Sequence, residues 1–170
     1  RCYNSLFDFC FQRIKYFYQT YFIIHFYKEA KMYEIHVNYI AILVAAVVSF
    51  FIGAFWYSPL LFAGQWVKAT GKTKEEITKG ASTFAYVLTF LAWLIVIYVL
   101  AVVIDYGVDI NSTPQFLYGI LTAFLCWFGF IASISLIHNL FAQRPIVLWF
   151  IDSGYVLVAF LISGAILAEW

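Results

Sequence analysis

The chain has 170 residues, of which 65% are hydrophobic and 11% charged, and its formal net charge is +1. Soluble domains carry about a quarter charged residues, so a soluble core could not hide this much apolar surface. Near-neutrality, with the lysines confined to a few places, excludes a basic nucleic-acid surface. Cys2, Cys10 and Cys126 are odd in number and scattered, with no C-x-x-C or metal spacing, which leaves neither a disulfide framework nor a thiolate metal centre. Cys126 falls mid-span and reads as a small packing residue.

Residues 1–31 come first and differ from the rest. They hold 11 Phe and Tyr, with neither helical caps nor a clean apolar period. Met32 is the only methionine, and Lys28-Glu29-Ala30-Lys31 before it can be encoded as a purine-rich ribosome-binding sequence. The segment is expected to be a translated upstream extension, with synthesis starting at Met32. The rival reading is an interfacial amphipathic segment, with Arg13, Lys15 and Lys28 among aromatic residues.

From Met32 onward the sequence predicts four membrane spans, at about 37–57, 82–104, 115–138 and 146–168. Each is close to the roughly 20 residues that a helix needs to cross ~30 Å of hydrocarbon. The expected class is therefore all-α, a polytopic four-helix transmembrane bundle with the lipid bilayer as its solvent. Trp56-Tyr57-Ser58-Pro59 closes the first span, and Thr73-Lys74-Glu75-Glu76 resembles an N-cap and acidic first turn of a short amphipathic helix running to about Lys79. Gly107, Asp109, Asn111, Ser112 and Pro114 spell turn chemistry between the second and third spans, and Arg144-Pro145 makes the third turn.

Counted from Met32, Lys68, Lys72, Lys74, Lys79 and Arg144 all fall on one side of the membrane, and the other side has no Lys or Arg. Cytoplasmic loops collect such residues. Both termini are expected outside, with loops 58–81 and 139–145 in the cytoplasm of a bacterial cell and the bundle in its inner membrane. Trp56, Tyr57, Trp66, Trp149 and Trp170 are expected to anchor the spans at the headgroup layer.

Small and polar residues recur at helical spacing and are expected to form the packing faces, because helices in lipid associate through close backbone approach. Ala41, Ala45, Ser49 and Gly53 do so in the first span, with Asn38 and Trp56 on the same face. The other stripes are Ser82, Tyr86, Thr89 and Trp93 in the second span, Gly119, Thr122, Cys126, Gly129 and Ser133 in the third, and Asp152, Tyr155, Ala159 and Ser163 in the fourth.

An ionisable residue inside a span is costly and points to function by default, which singles out Asp152. Matching depths from the cytoplasmic ends brings Tyr86 and Ser133 to its level, so a polar cluster of Asp152, Tyr86 and Ser133 is expected, with Gly53 leaving room. A structural aspartate and a proton-accepting one both fit this placement. His138 lies near the same depth but is turned well away from the seam of its helix, and His36 sits at the other membrane face. Neither belongs to a metal-ligand spacing or a nucleophile triad, and no phosphate-binding or nucleophile-elbow motif occurs. No catalytic residue, metal or cofactor is expected.

Asn38-Tyr39, the run Gly53-Ala54-Phe55-Trp56-Tyr57-Ser58-Pro59-Leu60-Leu61-Phe62 and Trp66 resemble the opening signature of the bacterial domain of unknown function 1761 family. Trp127-Phe128-Gly129-Phe130, Asn139-Leu140-Phe141, Arg144-Pro145, Ile151-Asp152-Ser153-Gly154-Tyr155 and Gly164 to Trp170 look like its second half. The resemblance implies a small integral membrane protein with four spans and no assigned activity. Two function classes are carried forward. The first is a non-catalytic membrane module acting through packing or partners, with self-association into a homo-oligomer open to it. The second is a small oligomeric transporter or channel using Asp152 as a proton or cation site, its small-molecule substrate unspecified.

Overall fold

The computed structural model describes residues 36–73, 76, 82–107 and 114–170. The expectations for residues 1–31, for residues 74–75 and 77–79 of the short amphipathic helix, and for the turn residues Asp109, Asn111 and Ser112 lie outside the described residues. Among those described, all regular structure is helical, and four helices are long and apolar enough to cross a membrane: Tyr39–Trp56, Thr83–Gly107, Gln115–Phe141 and Ile146–Glu169. The expected spans agree with these bounds within a few residues.

Helix α1 (Tyr39–Trp56) opens on Asn38, whose Oδ1 accepts from the amides of Ile40 at 2.9 Å and Ala41 at 3.2 Å. These are two of the donors that a helix start leaves unpaired. A tight turn through Ser58-Pro59 then leads into α2 (Ala63–Thr70), which ends at Gly71 in the left-handed conformation (φ 66°). This short helix is not among the expected elements. The cap expected after it is present: the Thr73 amide donates to Glu76 Oε2 at 2.9 Å and the Glu76 amide to Thr73 Oγ1 at 3.2 Å, a reciprocal capping box.

Helix α3 (Thr83–Gly107) is capped by Ser82, whose Oγ accepts from the Ala85 amide at 3.2 Å. The third span begins after Pro114 and has three parts: α4 (Gln115–Cys126), a π-helical stretch Trp127–Ala132, and α5 (Ser133–Phe141). The turn at its end places Gln143 at φ 53° and is closed by Asn139 Nδ2 donating to the Arg144 carbonyl at 3.1 Å. Helix α6 (Ile146–Glu169) starts after Pro145, where a missing N–H and a fixed φ suit a helix entry.

The fourth span is the centre of the bundle, packing against both the first span and the third, while the second packs chiefly on the first. Its contact faces are made of small residues. Ala45, Ala46 and Ser49 in α1, Ala123 in α4, and Ala159 and Ser163 in α6 are fully buried. Ser49 and Ser163 share a hydroxyl hydrogen bond of 3.0 Å across the α1–α6 seam. Where α4 crosses α6, backbone meets backbone: a β-carbon on Gly119 would overlap the Gly164 carbonyl, and one on Gly164 would sit 2.5 Å from the Gly119 carbonyl oxygen and 2.7 Å from Ala123 Cβ. Large apolar side chains such as Ile40, Phe51, Ile95, Leu125 and Phe150 point outward. That arrangement suits a lipid solvent, in which exposing them carries no penalty.

Three of the four expected packing stripes are corrected: in the fourth span Ala159 and Ser163 are buried, but Asp152 is exposed rather than turned into the bundle. In the second span, Ser82, Tyr86 and Thr89 are exposed, and the buried residues run from Trp93 through Ile97, Leu100 and Ala101 to Ile104. No residue from 83 to 92 is buried, so only one half of this helix joins the core. Thr89 satisfies its hydroxyl within its own helix by donating to the Ala85 carbonyl at 2.8 Å, and so needs no neighbour. In the third span, Gly129 has open space around its β-position and Ser133 is exposed, its Oγ donating to the Phe128 carbonyl at 2.8 Å. The cause is the π-helical stretch, whose i→i+5 pairing accommodates an extra residue per turn and rotates the remainder of the span. The buried face therefore runs Gly119, Ala123, Ala132, Asn139 rather than at uniform α-helical spacing.

The crossing of α4 and α6 fixes an expected outcome. Gly119→Ala and Gly164→Ala should each destabilise the bundle by about 1–3 kcal/mol through overpacking. Gly129→Ala, with nothing within 4 Å, should be neutral or slightly stabilising. Reversible unfolding in mixed micelles measures all three, and equal effects at the three positions would contradict this packing.

Candidate functional site

Several polar side chains converge on the first two turns of α6. Trp56, at the end of α1, donates its indole N–H to the Ile151 carbonyl at 3.0 Å. Its ring lies over Gly154, where a β-carbon would touch it at 3.4 Å. Trp127, in the third span, donates to the Ser153 carbonyl at 3.0 Å. A helix carbonyl keeps a second lone pair after its own ladder bond, so it can accept an indole without breaking the helix. Trp149 of α6 reaches back to the Ala132 carbonyl at 3.2 Å and Ser135 Oγ at 3.1 Å.

Asp152 stands among these groups. Its Oδ1 accepts from Tyr57 Oη at 2.7 Å and from Trp66 Nε1 at 3.1 Å. Both donors belong to the segment after α1, and Trp66 lies on the unexpected helix α2. The tight turn at Ser58-Pro59 is what swings α2 back over the end of the bundle. Aromatic contacts extend inward from there: Tyr57 meets Trp66 edge to face at 5.9 Å and Tyr155 at 5.7 Å, and Tyr155 meets Trp93 at 5.8 Å. Tyr155 also donates to the Ser49 carbonyl at 3.1 Å, filling the space that Gly53 leaves: a β-carbon there would sit 2.7 Å from its hydroxyl.

The expected cluster is thus half right in kind and wrong in membership. Asp152 is hydrogen-bonded, but Tyr86 and Ser133 are not its donors: Tyr86 is 55% exposed, and Ser133 commits its hydroxyl to Phe128. Depth matching assumed straight, equally packed helices. The second span leaves the core over residues 83–92 and the third is rephased by its π-helical stretch, so neither side chain arrives. The true donors had been read as headgroup anchors. Trp56, Tyr57, Trp66 and Trp149 are instead half-buried and bonded to the protein, whereas Trp170 is exposed and its carbonyl accepts from Asn38 Nδ2 at 3.4 Å. A signal for α2 was present in Phe62 and Trp66, one helical turn apart, with Gly71 as a stop.

A cleft of about 730 Å³ opens beside this cluster between the third and fourth spans, lined in part by His138, Arg144, Trp149, Asp152 and Ser153. His138 and Asp152 thus share a cleft although they are not bonded to each other.

The family model described as a protein of unknown function, DUF1761, matches residues 40–168, which takes in all four spans and the whole of the Asp152 site. The chain belongs to the DUF1761 family. No curated protein and no solved structure matches it. For DUF1761, then, the site must be read from its own geometry. What that geometry supplies is a carboxylate holding the segment after the first span to the start of the fourth.

Removing either donor should release α2. Tyr57→Phe and Trp66→Phe each delete one hydrogen bond to Asp152, worth about 0.6 kcal/mol on average in a bilayer. In micelles, tryptic cleavage after Lys68 and Lys72 should accelerate by about threefold, with helix content by circular dichroism unchanged. Cleavage at the wild-type rate in both variants would contradict the contact.

Proposed function

We propose that this DUF1761 protein is a non-catalytic, multi-pass module of the bacterial inner membrane that acts through its packing and its partners in the bilayer. Asp152 serves in it as a structural tether. The observation that carries this reading is the dense centre of the bundle. Ala45, Ala46, Ser49, Ile97, Ala123, Ala159 and Ser163 are fully buried at the seams around α6, so Asp152 sits beside a filled interior rather than at the mouth of a passage. One oxygen of its carboxylate, Oδ1, also accepts from two neutral donors of the segment after α1, the arrangement that suits a clamp. The seams among the described residues are filled by side chains, so the transporter reading calls for an oligomer whose interface supplies a route.

The proposed orientation has both termini outside, with loops 58–81 and 139–145 in the cytoplasm; it rests on synthesis starting at Met32, since Lys68, Lys72, Lys74, Lys79 and Arg144 then share one side, whereas Arg1, Arg13, Lys15, Lys28 and Lys31 would cancel the bias. The Asp152 tether and its cleft then face the cytoplasmic interface.

Asp152→Asn keeps an acceptor oxygen for Tyr57 and Trp66 and should change stability by no more than about 1 kcal/mol, since interhelical hydrogen bonds in bilayers average ~0.6 kcal/mol. Asp152→Leu leaves both donors unpaired and should cost about 1–3 kcal/mol per group. Equal loss of a proton-driven flux in reconstituted vesicles for Asn and Leu, at unchanged stability of the Asn variant, would replace the tether by a proton-coupling carboxylate. For topology, Lys74→Cys in a chain otherwise free of cysteine should resist an impermeant maleimide in intact cells, and Asn111→Cys should react. The reverse pattern would invert the orientation.

A further inference from the structure

The cleft between the third and fourth spans holds charges that the tether does not use. Arg144 and His138 line it together with Asp152, and no hydrogen bond or ion pair joins these three to one another among the described residues. Both hydrogen bonds to Asp152 end on Oδ1, which leaves Oδ2 with no partner among the described residues. Ser153 also lines the cleft, 4% exposed, and its hydroxyl has no partner among the described residues. A guanidinium, a carboxylate oxygen and a buried hydroxyl therefore border one space without satisfying each other. Asp152, Arg144 and His138 are exposed where they border the cleft, so their charged groups are accessible to a ligand, and Ser153 is the one buried group of the set.

The rest of the wall has a different character. Phe130 and Ile134 line the same cleft and are themselves 67% and 55% exposed on the outer surface of the third span, where lipid surrounds it. The cleft is thus apolar towards the bilayer and carries both signs of charge towards the Arg144 turn. Its volume of about 730 Å³ falls in the ordinary range of small-molecule sites.

We infer that this cleft holds one phospholipid whose headgroup joins a phosphate to a primary ammonium, with its acyl region against Phe130 and Ile134. The guanidinium of Arg144 takes the phosphate, for which its fork of donors is suited. Asp152 Oδ2 accepts from the ammonium while Oδ1 keeps its bonds to Tyr57 and Trp66. An anionic headgroup without an amine would leave Asp152 facing like charge. A quaternary ammonium would offer it no N–H. The occupant is a lipid rather than a free zwitterion because the apolar wall continues to the lipid-facing surface. The proposal does not depend on the tether reading, since it concerns the other carboxylate oxygen and Arg144.

The test is native mass spectrometry of the delipidated full chain in detergent, offered phosphatidylethanolamine, phosphatidylglycerol and phosphatidylcholine of identical acyl chains at equal concentration. Phosphatidylethanolamine should be retained about tenfold over each of the others, as one charge-assisted hydrogen bond allows. Arg144→Gln should lower retention of all three, and Asp152→Asn should abolish the preference over phosphatidylglycerol. Equal retention of the three lipids by the wild-type chain, which needs no variant, would overturn the site. So would wild-type retention by Arg144→Gln. Displacement of the lipid by an equal concentration of free phosphoethanolamine would assign the cleft to a soluble ligand and overturn the lipid.

Discussion

Close approach of backbones to the fourth span is the constraint on which the rest of the molecule depends. Lipid tails are as apolar as leucine, so helices gain nothing by hiding such residues from one another, and contact must come from dispersion and hydrogen bonds at short range. Gly119 against Gly164 and Ser49 against Ser163 bring two neighbours close enough for both. Once they are fixed, the space left around α6 is small, and single aromatic rings fill it: Tyr155 over Gly53, and Trp56 over Gly154. The second span lacks such a run of small residues over residues 83–92 and buries no residue fully there, meeting the core only at its inner end through Phe90 against Phe50.

The same close approach explains where the indoles go. Three indole N–H groups, from the first span, from α2 and from the third span, end on Ile151, Asp152 and Ser153 in turn. The carbonyls at the start of the central helix are within reach of these donors at the bundle edge and keep a lone pair free to accept them. Asp152 adds an acceptor that points outward, where the loop after the first span can reach it. The site is thus a product of the packing around α6, and the loop conformation follows from the site.

The fold was legible in the sequence because its signal is length and apolarity, and those are properties of a segment. The Ala45, Ser49 and Gly53 seam facing the fourth span at Ala159 and Ser163 was legible because α1 and α6 are regular α-helices and keep their phase. Gly129 and Ser133 were misplaced because a period cannot reveal where it is interrupted, and nothing in Trp127-Phe128-Gly129-Phe130 marks a π-turn. Tyr86 was misplaced because depth along a span says nothing of tilt. Trp66 was misread for a different reason. Its partner lies 86 positions away, and a tryptophan near a membrane edge has the same composition signal whether it faces headgroups or a carboxylate.

The extra residue in the third span has a consequence for how such a helix can vary. In an uninterrupted helix, changing the face presented at one end changes it at the other, so both packing faces are inherited as one object. The stretch Trp127–Ala132 uncouples them. Gly119 and Ala123 can stay locked on Gly164 while the half carrying Ser135, His138 and Asn139 is turned by adding or removing a single position. The third span therefore works as two gears on one shaft: one holds the bundle together, and the other sets which side chains face the cleft.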